Sequence, residues 1–192
     1  IMGFNKDTDK SEYLTALHNH TLPVLLNTEK VEKGDCFFIP AGTVHAICKG
    51  CYIAEIQQTS DITYRIYDYD RRDKNGNPRE LHTELATDVI NFCEQKQHSI
   101  HYHQHENHTE ELVSCNYFTT NYLKFDKEVE KDYIELDSFV IYMCLEGNFT
   151  LVYDVDKTVK VNKGETILVP AILKNLFLIP ETEAEILEIY IR

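Results

Sequence analysis

The chain has 192 residues, enough for one large domain or two small ones with a sizeable core. Nineteen Lys and Arg against 32 Asp and Glu give a net charge of −13, a field that repels phosphate backbones and anionic lipid heads and argues against nucleic-acid and membrane partners. No apolar run approaches the ~20 residues of a bilayer span, and the expected compartment is the cytoplasm.

The opening "IMGF" starts directly on an apolar run, which raises the expectation that the chain is the later part of something larger. Tyr, Phe, Val and Ile then recur in short runs broken by "KGD", "CKGC", "KNGNP", "LEGN" and "NKGE", the pattern of β-strands joined by tight turns. Two stretches depart from it. One is "DKSEYLTALHNH" near the start. The other is "ELHTELATDVINFCEQK" at 80 to 96, where Leu81, Leu85, Val89 and Phe92 recur at helical spacing and predict a helix between two β-units. Beyond it, "SFVIYMCL" and "NFTLVYDV" flank "EGN" and read as a hairpin, while "KVNKGETILVP", "NLFLIP" and "AEILEIYI" supply further strands. The six cysteines (36, 48, 51, 93, 115 and 144) sit in a chain large enough to need no staples and are read as reduced thiols.

One phrase occurs twice. "KGDCFFIPAGTVHAI" at 33 to 47 and "KGETILVPAILKNLF" at 163 to 177 share a turn glycine, an acid, four strand residues and a Pro-Ala stop, at an offset of 130 residues. Two related β-units are implied. Five residues past the proline, the first copy has His45 and the second has Asn175. Read alone, His45 is accounted for as a satisfied core or turn histidine.

The surrounding residues change that reading. "GDCFFIPAGTVH" resembles the second sequence motif of the cupins, double-stranded β-helix (jelly-roll) proteins whose histidine there is usually a metal ligand. "KGDCFFIPAGTVHAI", "GCYIAEIQQTSDITYRIYDYDR" and "RRDKNGNPRELH" together resemble the class I mannose-6-phosphate isomerases, zinc-dependent enzymes that interconvert mannose 6-phosphate and fructose 6-phosphate. The likeness runs from Gly34 to His82; past residue 97 it concerns fold alone.

The resemblance implies a mainly β protein of two cupin units with a few helices: 1–79 as the later part of the catalytic unit, 80–97 as a helical connection, and 98–192 as a second, metal-free unit. It implies His45 as a Zn²⁺ ligand, with the remaining ligands, a Gln-x-His pair and a glutamate, upstream of this chain. Glu55, on the apolar stretch "IAEIQ", matches a glutamate lining the family's active site, and a carboxylate there costs desolvation unless it has a task or a partner. Arg65 matches a catalytic, substrate-orienting arginine; its parity with Thr63 and Tyr67 would place them on one strand face, and an ion pair with Asp68 or Asp70 is the plainer alternative.

The expected function is therefore aldose–ketose isomerisation of a sugar phosphate by a longer protein, with little activity in this chain alone. A noncatalytic cupin that binds a sugar phosphate or a partner chain is the alternative, and exposed strand edges would allow a homo-oligomer. The resemblance departs at Cys48, where the family pattern has glycine; the resulting "CKGC" is better read as a turn than as half of a zinc knuckle. His101, His103 and His105 alternate in "HSIHYHQHENH", which reads as the first strand or linker of the second unit rather than a metal site. His45 is expected at the mouth or interior of a barrel near Glu55 or Arg65. The interior of the second unit is expected to be apolar and dry, with Leu168, Leu173, Leu176 and Leu178 around Asn175.

Overall fold

The computed structural model describes residues 1–60, 62–69, 71–94, 99–155 and 157–192. They form two compact units, one of Ile1–Ile53 with Thr59–Ile100, the other of Ala54–Gln58 with His101–Arg192.

In the first unit, helix α1 (Lys10–His18) begins where Asp9 Oδ1 accepts the Glu12 N–H at 2.8 Å, satisfying one of the donors that a helix start leaves open. Its inner face carries Tyr13 and Ala16 into a core with Phe4, Leu22, Leu25, Leu26 and Val44, and Phe92 stacks on Phe4 at 5.8 Å. Among its described residues a short antiparallel ladder joins β1 (Cys36–Phe37) to β2 (Ser99–Ile100). The helix expected over 80–96 is confined to α2 (Thr83–Thr87), and Leu81, Leu85 and Val89 are exposed. Their helical spacing reflects no buried stripe; of the periodic set, only Phe92 packs on the core. The stretches around Glu55 (53–57) and Arg65 (62–67), read as strands, form none.

The second unit is built on two long strands. β6 (Val140–Tyr153) and β9 (Asn175–Tyr190) pair antiparallel over their whole lengths, from Val140 opposite Tyr190 to Tyr153 opposite Leu176. Each is flanked by two shorter strands in succession. β4 (Thr119–Phe125) pairs the later half of β9 and β5 (Val129–Asp132) the earlier half, while β8 (Thr166–Val169) and β7 (Lys157–Asn162) divide β6 in the same way. β3 (Thr109–Ser114) extends the sheet beyond β4. All seven strands are thus joined in one sheet organised around the long pair, which is the jelly-roll arrangement, mainly β with few helices.

"EGN" is therefore not a hairpin. The chain runs straight through it as part of β6, with register shifts between Cys144 and Glu146 and between Gly147 and Phe149. Gly147 has φ +70 and lies opposite Ala184, and a Cβ there would collide with Glu183 O. It is a bulge glycine that lets both long strands bend together. The core of this unit holds Leu123, Phe125, Tyr142, Phe149, Leu176, Leu178 and Ile186, with Phe125 and Phe149 edge to face at 5.8 Å.

The repeated phrase is a structural repeat in its turns. Asp35 N donates to Glu32 O and Glu165 N to Asn162 O; Thr43 N donates to Pro40 O and Leu173 N to Pro170 O. The acids act alike as well, since Asp35 Oδ2 accepts from Glu32 N and Glu165 Oε2 from Asn162 N, both at 2.8 Å. No helix among the described residues is long and apolar enough to cross a membrane.

Candidate functional site

Arg65 is held at three points. Its N–H donates to His82 Nδ1 at 2.9 Å, its carbonyl accepts the His82 N–H at 2.8 Å, and its Nη1 donates to Glu80 O at 3.2 Å. Because Nδ1 accepts a backbone N–H, the neutral His82 ring carries its proton on Nε2. Further along, Arg72 bridges Pro78, and Asp73 closes the turn by accepting from Asn75 N at 2.8 Å and Asn77 N at 2.9 Å. The Asn77 and Asn75 N–H groups hold the Asp73 carboxyl below its usual range. Asp68, buried, takes Arg71 at 2.6 Å and Arg79 at 3.4 Å. The arrangement leaves Arg65 out of the Asp68 ion pair, and Asp70 lies outside the described residues. Of the five guanidinium N–H groups, one meets Glu80 O, and among the described residues the others meet no partner.

His45 belongs to the same unit as Arg65 and is exposed, not enclosed by a barrel. Its Nδ1 lies 2.9 Å from Thr43 O. A carbonyl oxygen only accepts, so Nδ1 carries the proton and Nε2 keeps the lone pair a metal would use; histidine ligands are commonly oriented in this way. Glu55 lies in the other unit, exposed and outside any strand, so the desolvation argument for it fails, and Arg65, also outside any strand, loses its parity argument. Among the described residues, no three His, Cys, Asp or Glu side chains group to hold a metal. His45 thus fits the role of one zinc ligand, and the described residues do not fit a complete set.

Cys48 and Cys51 are exposed free thiols. His101, His103 and His105 lie outside any strand; His105 Nδ1 is 2.6 Å from Glu110 Oε1, and the His103 and His105 rings are 5.7 Å apart. His98 lies outside the described residues.

No protein-family model matches the chain. It is 36% identical over 172 residues to the mannose-6-phosphate isomerase ManA of Bacillus subtilis, covering 88% of this chain and 53% of ManA. It is 35% identical over 166 residues to YvyI of the same organism, provisionally named for the same activity, covering 84% of this chain and 51% of YvyI. The crystal structure of the mannose 6-phosphate isomerase from Bacillus subtilis superposes with a TM-score of 0.86 at 32% identity, covering 100% of this chain and 60% of that one. The chain belongs to the mannose-6-phosphate isomerase family. It spans about half the length of the curated relatives it matches, 51% and 53%. The mainly β fold is shared with that isomerase structure over the whole chain.

In this family member the second unit holds a feature the sequence reading missed. Its interior is not apolar throughout. Glu188 on β9 is 2% exposed and accepts from Asn121 Nδ2 on β4 at 2.8 Å, from Lys131 Nζ on β5 at 3.0 Å, and from the Tyr133 hydroxyl. The Tyr142 hydroxyl on β6 meets that of Tyr133, and Lys131 Nζ also donates to Thr109 Oγ1 on β3 at 2.7 Å. Burial pushes both phenols well above their ordinary range, so they remain protonated donors. The expected apolar surroundings of Asn175 hold in part: Leu176 and Leu178 are buried, but Leu168 is exposed, as is Asn175 itself.

Proposed function

We propose that this chain serves a cytoplasmic mannose-6-phosphate isomerase, interconverting mannose 6-phosphate and fructose 6-phosphate, and that it contributes part of the site. The observation that supports this most is the likeness to the Bacillus subtilis isomerases over 84 to 100% of the chain, at 32 to 36% identity. The chemistry moves a carbonyl from C1 to C2 through an enediol, which asks for a proton shuttle, stabilisation of the developing oxyanion, and a cation for the phosphate.

In this reading Arg65 supplies a fixed cation for the developing oxyanion. The His82 and Glu80 contacts orient it before substrate arrives, so its fork can take an oxygen-rich group at little further entropic cost. Glu55 is assigned to the polar lining and proton transfer. His45 offers Nε2 as one ligand of Zn²⁺, the other ligands coming from outside the described residues. When bound, zinc would act as a Lewis acid toward the substrate oxygens.

The test is an isomerase assay with mannose 6-phosphate on this chain and on a version extended to the full length of its relatives, each with added zinc. The proposal expects turnover and stoichiometric zinc in the extended protein and little of either in the chain alone. An extended protein that binds sugar phosphate without turning it over would favour the noncatalytic cupin.

A further inference from the structure

Of the cysteines, Cys36 and Cys144 have thiols pushed up by burial, whereas Cys48 and Cys51 are exposed and free. The latter two flank a turn formed by Lys49 and Gly50. Gly50 has φ +93, as the third residue of a type II turn requires, and nothing lies within 4 Å of where its Cβ would be. The ends of a β-turn lie within about 7 Å, Cα to Cα, and disulfides span about 4.4–6.8 Å. The turn therefore brings the two α-carbons into the range a disulfide spans, on a stretch from Ile47 to Glu55 that is exposed throughout and in no helix or strand.

We propose that Cys48 and Cys51 form a reversible disulfide across the turn that follows His45. With a small-molecule disulfide such as oxidised glutathione as oxidant, one thiolate attacks a glutathione sulfur and expels glutathione thiolate. The second thiolate then attacks the mixed disulfide and expels the other. Two protein thiols are oxidised and one glutathione disulfide is reduced to two thiols, so electrons and protons balance. The closing step is intramolecular across four residues and outruns a second encounter with glutathione. The product staples the chain three residues past the imidazole that leans on Thr43 O. The inference is independent of the isomerase reading, because the bridge requires only the turn.

Trypsin provides the test, since it cuts at Lys33, Lys49 and Arg65 and so separates the two cysteines. The chain is equilibrated in glutathione buffers of rising oxidised fraction, its free thiols are alkylated, and it is digested without reductant. The expected result is peptide 34–49 joined to peptide 50–65, lighter by two hydrogens than the pair and released by dithiothreitol. Peptide 34–49 also holds Cys36, so the linkage must persist in Cys36→Ser and vanish in Cys48→Ser. No joined peptide in the most oxidising buffer would overturn the inference, as would a linkage that survives Cys48→Ser.

Discussion

Lys131 Nζ lies 3.0 Å from Glu188 Oε1 inside the second unit, with both side chains at least nine-tenths buried. Two opposite charges in such a place repay their desolvation only when their remaining hydrogen-bonding groups are also met, and here Thr109, Asn121 and Tyr133 meet them. Removing one partner leaves the other charged and uncompensated. Lys131→Ala is expected to lower the stability of the second unit by about 3–5 kcal/mol. Replacing both charges by apolar residues of similar volume, Lys131→Met with Glu188→Leu, is expected to recover much of that loss. Urea titrations of the three proteins check it, and a double variant no better than Lys131→Ala would show that the pair is not the relevant unit.

Gly147 and Gly164 separate two costs that glycine substitutions usually mix. Both have left-handed backbone, at φ +70 and +83, but a Cβ at 147 meets Glu183 O whereas one at 164 meets nothing within 4 Å. Gly164→Ala should cost the conformational penalty alone, about 1–2 kcal/mol. Gly147→Ala should cost clearly more, because the long strands must also part at their bend. Thermal midpoints of the two variants give the comparison; equal losses would mean the bend relaxes freely.

These residues also mark what was legible in the sequence. The repeat could be read because its turns are local: each hydrogen bond joins residues three apart, so the same phrase gives the same turn twice. "EGN" misled because a bulge glycine and a hairpin glycine have the same neighbours; only the partner strand, through Glu183, tells them apart. The Glu188 network was out of reach, since Asn121 and Tyr133 stand 67 and 55 residues away from it and no spacing rule joins them. The stretches around Glu55 and Arg65 failed in the opposite direction. An apolar run in one and side-chain parity in the other were read as strand, but a strand needs a partner as well as a pattern. Of the candidate site, Arg65 was legible by resemblance, while its support from His82 and Glu80 emerged only with the chain folded back on itself.

The turn at Asp73 has a pH signature with a definite sign. Its carboxyl is held below the ordinary value, first by the Asn77 N–H and then by that of Asn75, because the charged form is the better acceptor. A depressed carboxyl stabilises the turn fully above its unfolded value, near 3.8, and the contribution is lost as pH falls through the lower folded value. The Asn75 and Asn77 amide resonances should therefore hold their positions down to about that value and shift only below it. Asp73→Asn, which keeps the shape and loses the charge, should remove the titration. Amide shifts that move together between pH 5 and 4 would place the titration elsewhere.

Arg65 and His82 provide the functional comparison, made in the protein extended to the length of its relatives. If Arg65 stabilises the developing oxyanion, Arg65→Ala should lower kcat by about 10²–10³, since that is the usual loss when one preorganised donor is removed. Arg65→Lys keeps the charge but not the fork, and should recover only part of that rate. His82 touches the backbone and not the guanidinium, so it is a positioning residue. His82→Ala frees the Arg65 N–H and loosens the segment, whereas His82→Asn retains an acceptor near the same place. The rate should fall in the first and return substantially in the second, with zinc content unchanged in both. His45→Asn reproduces the residue found at the equivalent point of the second copy, and there the zinc content itself should drop. Steady-state kinetics with metal analysis on the same samples read all five variants. A His45→Asn protein with full zinc, or an Arg65→Ala protein with unchanged kcat, would remove that residue from the site.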